Sequence, residues 1–546
     1  MAFRNVEDHF GNVPSVDIRR SKLKRDCNFK TTCNAGDIIP IYVDEVLPGD
    51  TITIAESMVV RMTTPIAPVM DNAFLDTYFF YVPNRLVDDH WEELMGENKT
   101  DEWTQKTEYL VPQTEAPKDG WIKGTIAEKM GIPQGIDNIS VDGNYFKAYA
   151  LIWNEWFRNE NVSEPAEITK DQTTLTGSNG TDYVTDLQLG GMPAQAQKFA
   201  DYFTRALPNS QKGDPVYLPL GTSAPVKTTA NTDLWNTEAG QTPVYYTDVQ
   251  GTFVSGSFLT GTYNGADYAY NATASQSPAG QINPRNLIAD LSEATAATIG
   301  ALRQAFAVQR LLERDATMGT RYIESIRAHF GVTSPDARHQ RPEYLGGKRI
   351  PINMSDVIQN SATDAVTPQG NVSGMSKTIN SHDLFSWSAT EHGMLIGLAV
   401  IRTEHSYQQG IPRIFSRKKR LDYYYPELAN ISEQYIKNKE IYAQGTNEDE
   451  EAFGYQEAWA EYRYGINKIT GELNCNYATP LDIWHYGDEY SALPTLSHEW
   501  TSETDVNVQR TLAIQTQDQF IIDCYFDQTW TRPMPVYSVP GLTGWM

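Results

Sequence analysis

Three short stretches of the chain carry residue types that can do nucleophilic, acid–base or metal chemistry. Ser381, His382 and Asp383 are the residue types of a hydrolase triad. Their side chains are consecutive, point in different directions and therefore cannot form the proton relay. Glu391-His392 and His498-Glu499 are neighbouring acid and histidine pairs without a third ligand at metal spacing. We interpret all three stretches as structural, with Asp383 or Ser381 capping a turn.

The acidic run 448–451 follows Gly445 and could hold a cation weakly, but a solvated loop is the simpler interpretation. The sequence has no Walker A motif, dinucleotide-binding glycine fingerprint, G-x-S-x-G elbow or H-E-x-x-H motif. Paired carboxylates for glycoside hydrolysis remain open among 69 Asp and Glu residues, although no spacing favours them. We predict no catalytic residue, no metal site and no cofactor.

Two basic clusters stand out in a chain whose net charge is −25. Their members are Arg19, Arg20, Lys22, Lys24 and Arg25 in the first cluster, and Arg417, Lys418, Lys419 and Arg420 in the second. Three tyrosines, 423–425, follow the second cluster. Cations bind phosphates and aromatic rings stack on bases, so both clusters are candidates for contact with single-stranded DNA. The alternative is that they form salt bridges between subunits.

Composition limits the class of protein. An overall acidic chain does not coat nucleic acid over its whole surface, although a local basic face is compatible with it. Cys27, Cys33, Cys475 and Cys524 lack zinc spacing, and we predict free, reduced thiols as in a cytoplasmic assembly site. The first residues lack the apolar core of a signal peptide, and the longest apolar run, 394–401, is too short for a bilayer. We therefore predict neither signal-directed secretion nor membrane anchoring.

Strands are predicted near both ends of the chain. Period-two alternation marks 50–55 and 58–62, and an aromatic-rich strand spans 74–82 and ends at Pro83. The continuous apolar run 394–401 is typical of a strand that is buried on both faces, and 519–527 alternates again. Early and late strands must pair to close a sheet. This order predicts an antiparallel sandwich with large insertions.

Helices are predicted between the two groups of strands. Helical spacing marks 85–95 and 145–159, and the strongest amphipathic pattern starts at Ile299 and runs through Leu312. Gly319 should interrupt this helix, and a second piece, 321–330, should end at Gly331.

The segment 221–280 is rich in Thr, Gly, Ser, Asn and Tyr, and we interpret it as an inserted, surface-exposed β-loop subdomain with short strands at 244–247 and 252–259. Its uncharged, tyrosine-dotted composition is typical of recognition loops, and a merely decorative insertion is the alternative. The candidate contact residues of such a recognition surface are Tyr245, Tyr246, Phe253 and Tyr263. The Pro- and Gly-rich end, 532–546, is predicted to be an extended arm that lies on a neighbouring copy.

Many segments resemble the major capsid proteins of the Microviridae, small single-stranded DNA phages, and most closely those of the gokushovirus branch. The most distinctive are 334–338 and 341–347. The other similar segments are 64–72, 80–86, 154–158, 302–306, 311–315, 407–410, 438–442, 453–457, 459–463 and 532–541. The segment 221–280 cannot be aligned with the family, and the basic run at Arg417 is denser than the family pattern.

The resemblance implies a mainly β fold: an eight-stranded antiparallel jelly roll, the viral capsid β-sandwich, with long helical and loop insertions. Residues 1–220 and 281–546 would form this domain, and 221–280 would form protrusions at the three-fold axes. It also implies a virion with a T=1 icosahedral shell around circular single-stranded DNA, assembled in the host bacterial cytoplasm. Expected partners are copies of the chain, a small basic DNA-binding protein, a pilot protein and a host receptor of unknown identity. A phage spike, a carbohydrate-binding sandwich and a β-sandwich glycosidase are the rival hypotheses.

Overall fold

The computed structural model describes residues 18–97, 107–214, 216, 226–228, 246–247, 259–263, 268–272, 283–284, 287–289, 299–361, 363 and 368–537. The chain forms two compact units, residues 1–210 with 315–546 and residues 211–314. The predicted boundaries at 220 and 280 stay a prediction, because most of that segment lies outside the described residues.

Strands dominate the first unit and also occur in the second. In chain order they are β1 Ser21–Lys24, β2 Cys27–Cys33, β3 Ile39–Val46, β4 Thr51–Met62, β5 Ala73–Pro83, β6 Gln113–Glu115, β7 Ser140–Asp142, β8 Leu175–Thr176, β9 Val226–Thr228, β10 Tyr246–Thr247, β11 Leu259–Tyr263, β12 Tyr268–Ala272, β13 Asn283–Pro284, β14 Leu287–Ala289, β15 Glu343–Pro351, β16 Met354–Ile358, β17 Val372–Ser376, β18 Thr378–Ser388, β19 Gly393–Thr403, β20 Glu433–Lys437, β21 Ala452–Glu457 and β22 Phe520–Arg532.

The first large sheet joins the two ends of the chain. Its order is β1-β22-β4-β18, and β2 also pairs with β22, so β1 and β2 follow one another along the same edge. All of these pairs are antiparallel. The segments 50–55 and 58–62, predicted as separate runs, form the single strand β4. Its alternate side chains, among them Ile52, Ile54 and Met58, are buried.

The second large sheet is also antiparallel, with the order β15-β5-β19-β3. Its central strand β19 is buried on both faces, as the apolar run predicts. Leu395 and Ile401 face one core cluster, whereas Ile396 and Leu398 face the other. β5 includes Pro83 as its last residue, and its two faces are likewise buried, with Phe79 in one cluster and Phe80 in the other.

The two sheets pack face to face around one hydrophobic core. Phe526 of the first sheet meets Tyr42 and Phe79 of the second, with ring centroids 5.1 and 6.1 Å apart in edge-on geometry. The predicted mainly β, antiparallel sandwich is thereby confirmed.

The helices among the described residues are α1 Trp91–Leu94, α2 Ile126–Lys129, α3 Asn144–Ile152, α4 Ile299–Met318, α5 Tyr322–Ser325, α6 Asn438–Ile441, α7 His498–Thr501 and α8 Val506–Gln509. α2 and α3 pack on the outer face of the second sheet, whereas α6 and α7 contribute to a separate cluster and α8 to the core between the sheets. α3 continues as a wider turn to Phe157 and buries Phe146, Tyr149 and Trp153 against the sheet, as predicted. Among the described residues, no helix has the length and apolar character needed to cross a bilayer.

The prediction of one helix over 85–95 is wrong. A short 3-10 turn, Asn84–Leu86, is separated from α1 because the Asp88 carboxylate accepts a hydrogen bond from the backbone N–H of His90, 2.9 Å away. Such a local side-chain bond competes with helix formation. The predicted interruption at Gly319 and the end at Gly331 are both confirmed, with left-handed φ values of 93° and 68°.

Candidate nucleic-acid interface

The Ser381-His382-Asp383 stretch lies within β18, where successive side chains alternate between the two faces of the sheet. His382 points inward, and its Nε2 atom is 3.6 Å from the Glu56 carboxylate. Ser381 lies on the exposed face, with its Oγ 2.7 Å from the Oγ of Ser57. The residues therefore cannot act as a triad. The expectation that Asp383 or Ser381 caps a turn is wrong, because both lie within the strand.

The side chains of the other two acid–histidine pairs make structural contacts with their neighbours. Glu391 binds Arg85 at 2.7 Å, and His392 packs edge-on against Trp91. His498 stacks on Tyr183, with ring centroids 4.0 Å apart, and its Nδ1 lies 2.6 Å from the Oγ of Ser163. Within the described part of the chain, no cluster of three or more His, Cys, Asp and Glu residues could hold a metal ion.

The acidic run 448–451 is more ordered than a solvated loop. The Asp449 carboxylate is buried and accepts hydrogen bonds from the backbone N–H groups of Gln444 and Gly445 at 3.0 and 2.7 Å. Glu450 binds Lys437 and Lys439 at 2.5 and 2.6 Å, and these two hydrogen bonds lower its pKa to about 2. Both carboxylates are satisfied within the subunit.

Three cations of the first basic cluster are exposed at the edge of the first sheet. Arg19, Arg20 and Lys22 are exposed, and within the described part of the chain no acidic side chain forms an ion pair with them. Lys22 is fixed opposite Thr531 by the pairing of β1 with β22. The Arg20 guanidinium lies beside Gly49, which has a φ of +86°. A Cβ atom added at position 49 would lie 3.0 Å from this guanidinium. These three cations can meet an external phosphate.

The rest of the first cluster is engaged inside the subunit. Lys24 lies 3.1 Å from Asp26 and 3.7 Å from Asp527. Arg25 binds Asp44 at 2.8 Å, and its guanidinium lies 4.9 Å from the centre of the Trp530 ring. A phosphate would have to compete with these acids for both cations.

The second cluster is divided in a similar way. The Arg417 side chain is 10% exposed, binds Glu461 at 3.2 Å and lies over the rings of Tyr423 and Tyr462. Lys418 and Lys419 are exposed, and Asp422 accepts hydrogen bonds from both of their backbone N–H groups at 2.7 Å. Arg420 is exposed beside the Tyr425 ring, 5.3 Å from its centre. Arg417 therefore supports the loop, and its three neighbours remain available.

The structure does not bring the two clusters together: no hydrogen bond or ion pair between described residues links one to the other. Of the host-contact candidates, Tyr245 and Phe253 lie outside the described residues, whereas Tyr246 starts β10 and Tyr263 ends β11. The predicted strand 244–247 is found at its last two residues. The predicted strand 252–259 lies outside the described residues, apart from Leu259, where β11 begins.

Sequence reasoning missed a buried ionic network that ties the end of β19 to the segment before β22. His405 lies between Asp488 and Glu503, 2.8 Å from one carboxylate and 3.0 Å from the other. Lys198 binds Asp488 at 3.1 Å. Burial lowers the pKa of His405, but the two carboxylates outweigh burial and raise it to about 10. These residues are far apart in sequence, so their spacing gave no signal.

Comparison with known proteins agrees with this non-catalytic structure. Residues 11–542 match the family model described as "Capsid protein (F protein)". The chain is 42% identical to "Capsid protein VP1" of Spiroplasma virus 4 and 39% identical to that of Bdellovibrio phage phiMH2K, over 99% of each chain. It is 37% identical to "Capsid protein VP1" of Chlamydia phage 1, over 98% of each chain. The resemblance inferred from its segments is confirmed: the chain belongs to the phage capsid protein (F protein) family and is a structural, non-enzymatic subunit of a virus shell.

Proposed function

We propose that copies of this chain form a T=1 icosahedral shell around a circular single-stranded DNA genome. The observation that supports the proposal is the match of this chain to capsid proteins over nearly its whole length. The subunit that shows this match is built on an antiparallel sandwich. A spike or a carbohydrate-binding module, the alternative interpretation, does not account for a match of that length.

We infer further that the sandwich is an eight-stranded jelly roll. When β1 and β2 count as one interrupted strand, each sheet has four strand positions. The chain crosses from one sheet to the other at most connections between these strands, as it does from β3 to β4 and from β4 to β5. Such crossing connections are typical of two Greek keys wrapped into a jelly roll.

Two long connections supply surface for contacts between subunits. They run from β5 to β15 and from β19 to β22, and they contain the eight helices described above. Large apolar side chains on them face solvent in the single subunit, among them Phe330, Phe415 and Leu421. Exposed apolar surface of this kind marks interaction sites.

Electron microscopy of particles made by the expressed protein tests the proposal. We expect closed particles with T=1 symmetry that contain nuclease-protected circular single-stranded DNA when phage partners are co-expressed. A chain that stays monomeric under all assembly conditions, or particles of a larger triangulation number, would contradict it.

Contact with DNA is supported by the exposed cations Arg19, Arg20 and Lys22, which form no ion pair with a described residue, and in second place by Lys418, Lys419 and Arg420. A net charge of −25 makes the subunit as a whole repel phosphate, so a small basic DNA-binding protein suits the role of partner. A pilot protein is proposed from the family resemblance. Four free thiols suit assembly in the reducing cytoplasm of a host bacterium.

The segment 221–280 is the proposed host-attachment surface at the three-fold axes, on the strength of its uncharged, tyrosine-rich composition. Deletion of this segment should abolish binding to host cells while particles still form. If particles do not form, the insertion is architectural and host contact must be sought elsewhere.

A further inference from the structure

An aromatic cleft of about 340 Å³ opens on the outer face of the second sheet. Its walls come from three parts of the first unit: β5 supplies Tyr78 and Phe80, the turn after α3 supplies Trp156, and β15 supplies Tyr344. The ring centroids of Phe80, Trp156 and Tyr344 lie 5.4 to 5.8 Å apart, and that of Tyr78 lies 6.5 Å from Tyr344, so the rings form one continuous apolar surface.

Two hydrogen-bond donors on residues of this cleft have no acceptor. The Nε of Arg402 and the Nε2 of Gln197 are buried, and no acceptor reaches either atom within the described part of the chain. Buried donors without acceptors are uncommon in folded proteins because each loses its hydrogen bonds to water. Because both atoms are closed off from solvent, they do not select the occupant, and the aromatic lining is what favours an apolar one.

Each of the three arginines around the cleft is already paired with a carboxylate. Asp76 binds both Arg349 and Arg402, and Arg341 binds Asp336 at 2.8 Å while lying over the Trp156 ring. A phosphate would have to displace these carboxylates, whereas a neutral carbonyl would not. Because the guanidinium groups are occupied by these ion pairs, an uncharged peptide is favoured over nucleic acid.

The chain itself contains a segment with the required chemistry. Residues 533–546 include Pro533, Pro535 and Pro540 and contain no charged side chain. Proline-rich segments adopt the polyproline II conformation, leave their carbonyls free and dock in aromatic-lined grooves. The last described residues of this arm are exposed, Val536 by 56% and Tyr537 by 80%, so a neighbouring copy can reach them.

The arm and the cleft belong to opposite layers of the sandwich. Arg532, where the arm begins, ends β22 of the first sheet and binds Asp50 at 3.0 Å. The cleft lies on the outer face of the second sheet. We propose that the proline-rich arm of one copy docks in the aromatic cleft of a neighbouring copy and clasps the two subunits together. This inference rests on assembly into a shell.

Photocrosslinking in purified particles tests the contact. With p-benzoyl-phenylalanine in place of Tyr344, which is 40% exposed, we expect a covalent band of two subunits and crosslinked peptides from residues 533–546. The reciprocal label in place of Tyr537 should capture peptides that contain Trp156 or Tyr344. If either labelled chain does not assemble, the other still tests the contact. A label in place of Tyr435, which is also 40% exposed, should capture no peptide of the arm.

Substitution of the prolines gives a second measurement. Pro533, Pro535 and Pro540 changed together to Ala should lower the yield of the Tyr344 crosslink at least fivefold, and Pro368→Ala should leave it unchanged. Crosslinks within one subunit, to another segment or to nucleotides, or no crosslink at all in intact particles, would overturn the proposal. Because the particles are isolated beforehand, these outcomes count against the arm and not against shell assembly.

Discussion

His382 and Glu56 face each other across paired strands inside the sandwich, with the Nε2 of His382 3.6 Å from the Glu56 carboxylate. Burial raises the pKa of Glu56 to about 8 and lowers that of His382. Near neutral pH the two side chains are therefore uncharged partners in an otherwise apolar core. Among the described residues no lysine or arginine forms an ion pair with Glu56, so its ionisation should weaken the subunit.

Glu56→Gln should remove a pH dependence of stability. The pKa of Glu56 is about 8 in the folded state and about 4.3 when unfolded, so its contribution to stability is greatest below pH 4 and falls as pH rises towards 8. The slope is at most about 1.4 kcal/mol per pH unit. Thermal unfolding should show a wild-type melting temperature that drops relative to Glu56→Gln between pH 5 and 8. Asp383→Asn, on the exposed face of β18, should follow the wild type, and parallel wild-type and Glu56→Gln profiles would contradict the assignment.

Arg417→Ala should destabilise the subunit, whereas Lys418→Ala should not. Loss of the Arg417 guanidinium leaves the buried Glu461 carboxylate with Arg413 at 3.8 Å and removes the contacts with Tyr423 and Tyr462. We expect a loss of about 1 to 3 kcal/mol in urea unfolding, the usual cost of a buried charged group left poorly paired. The exposed Lys418 should change stability by less than about 0.5 kcal/mol. Equal effects of the two substitutions would show that Arg417 has no special structural role.

His405→Gln should be most damaging at low pH. The pKa of His405 is about 10 in the folded state and about 6.5 when unfolded, so its stabilising contribution is complete below pH 6.5 and is lost as pH rises towards 10. Removing the imidazolium leaves Asp488 and Glu503 buried side by side, at a cost of about 3 to 5 kcal/mol near pH 6. Melting temperatures of the two proteins should converge towards pH 10. His339→Ala should show no such convergence, and a difference that is constant with pH would argue against a protonated His405.

Arg19, Arg20 and Lys22 changed together to Ala should reduce packaged DNA at least twofold while particle yield is kept. Three phosphate contacts to single-stranded DNA contribute about 2 to the slope of log affinity against log salt, and this share should disappear. The matched control removes three exposed lysines elsewhere, Lys118, Lys170 and Lys377. The measurement is nuclease-protected DNA per particle, and unchanged genome content would refute a DNA role for the first cluster.

The strands were predictable because their signal is local. Alternation in β4 and the apolar run in β19 reflect which faces a strand buries, and this is written in neighbouring residues. The prediction of one helix over 85–95 failed for an equally local reason. The Asp88 carboxylate accepts a hydrogen bond from the backbone N–H of His90, and this bond competes with helix formation.

The sequence showed which residues make up the candidate site, but it did not show how their side chains are arranged. Both basic clusters were visible in the sequence, but it did not reveal that Arg25 is bound by Asp44 or Arg417 by Glu461. The alternation of β18 was enough to exclude the triad, since adjacent strand side chains lie on opposite faces.

The sequence by itself determined four strands of the sandwich, β4, β5, β19 and β22, together with the absence of a catalytic motif and the family. Only the tertiary structure decided which cations remain free among the described residues, that His405 lies between Asp488 and Glu503, and that aromatic side chains from β5, β15 and the turn after α3 line one cleft. The physical reason is distance along the chain. Local patterns follow from the sterics and burial of neighbouring residues, whereas these groupings join residues scores or hundreds of positions apart, and only the packing of both sheets and their long connections brings them together.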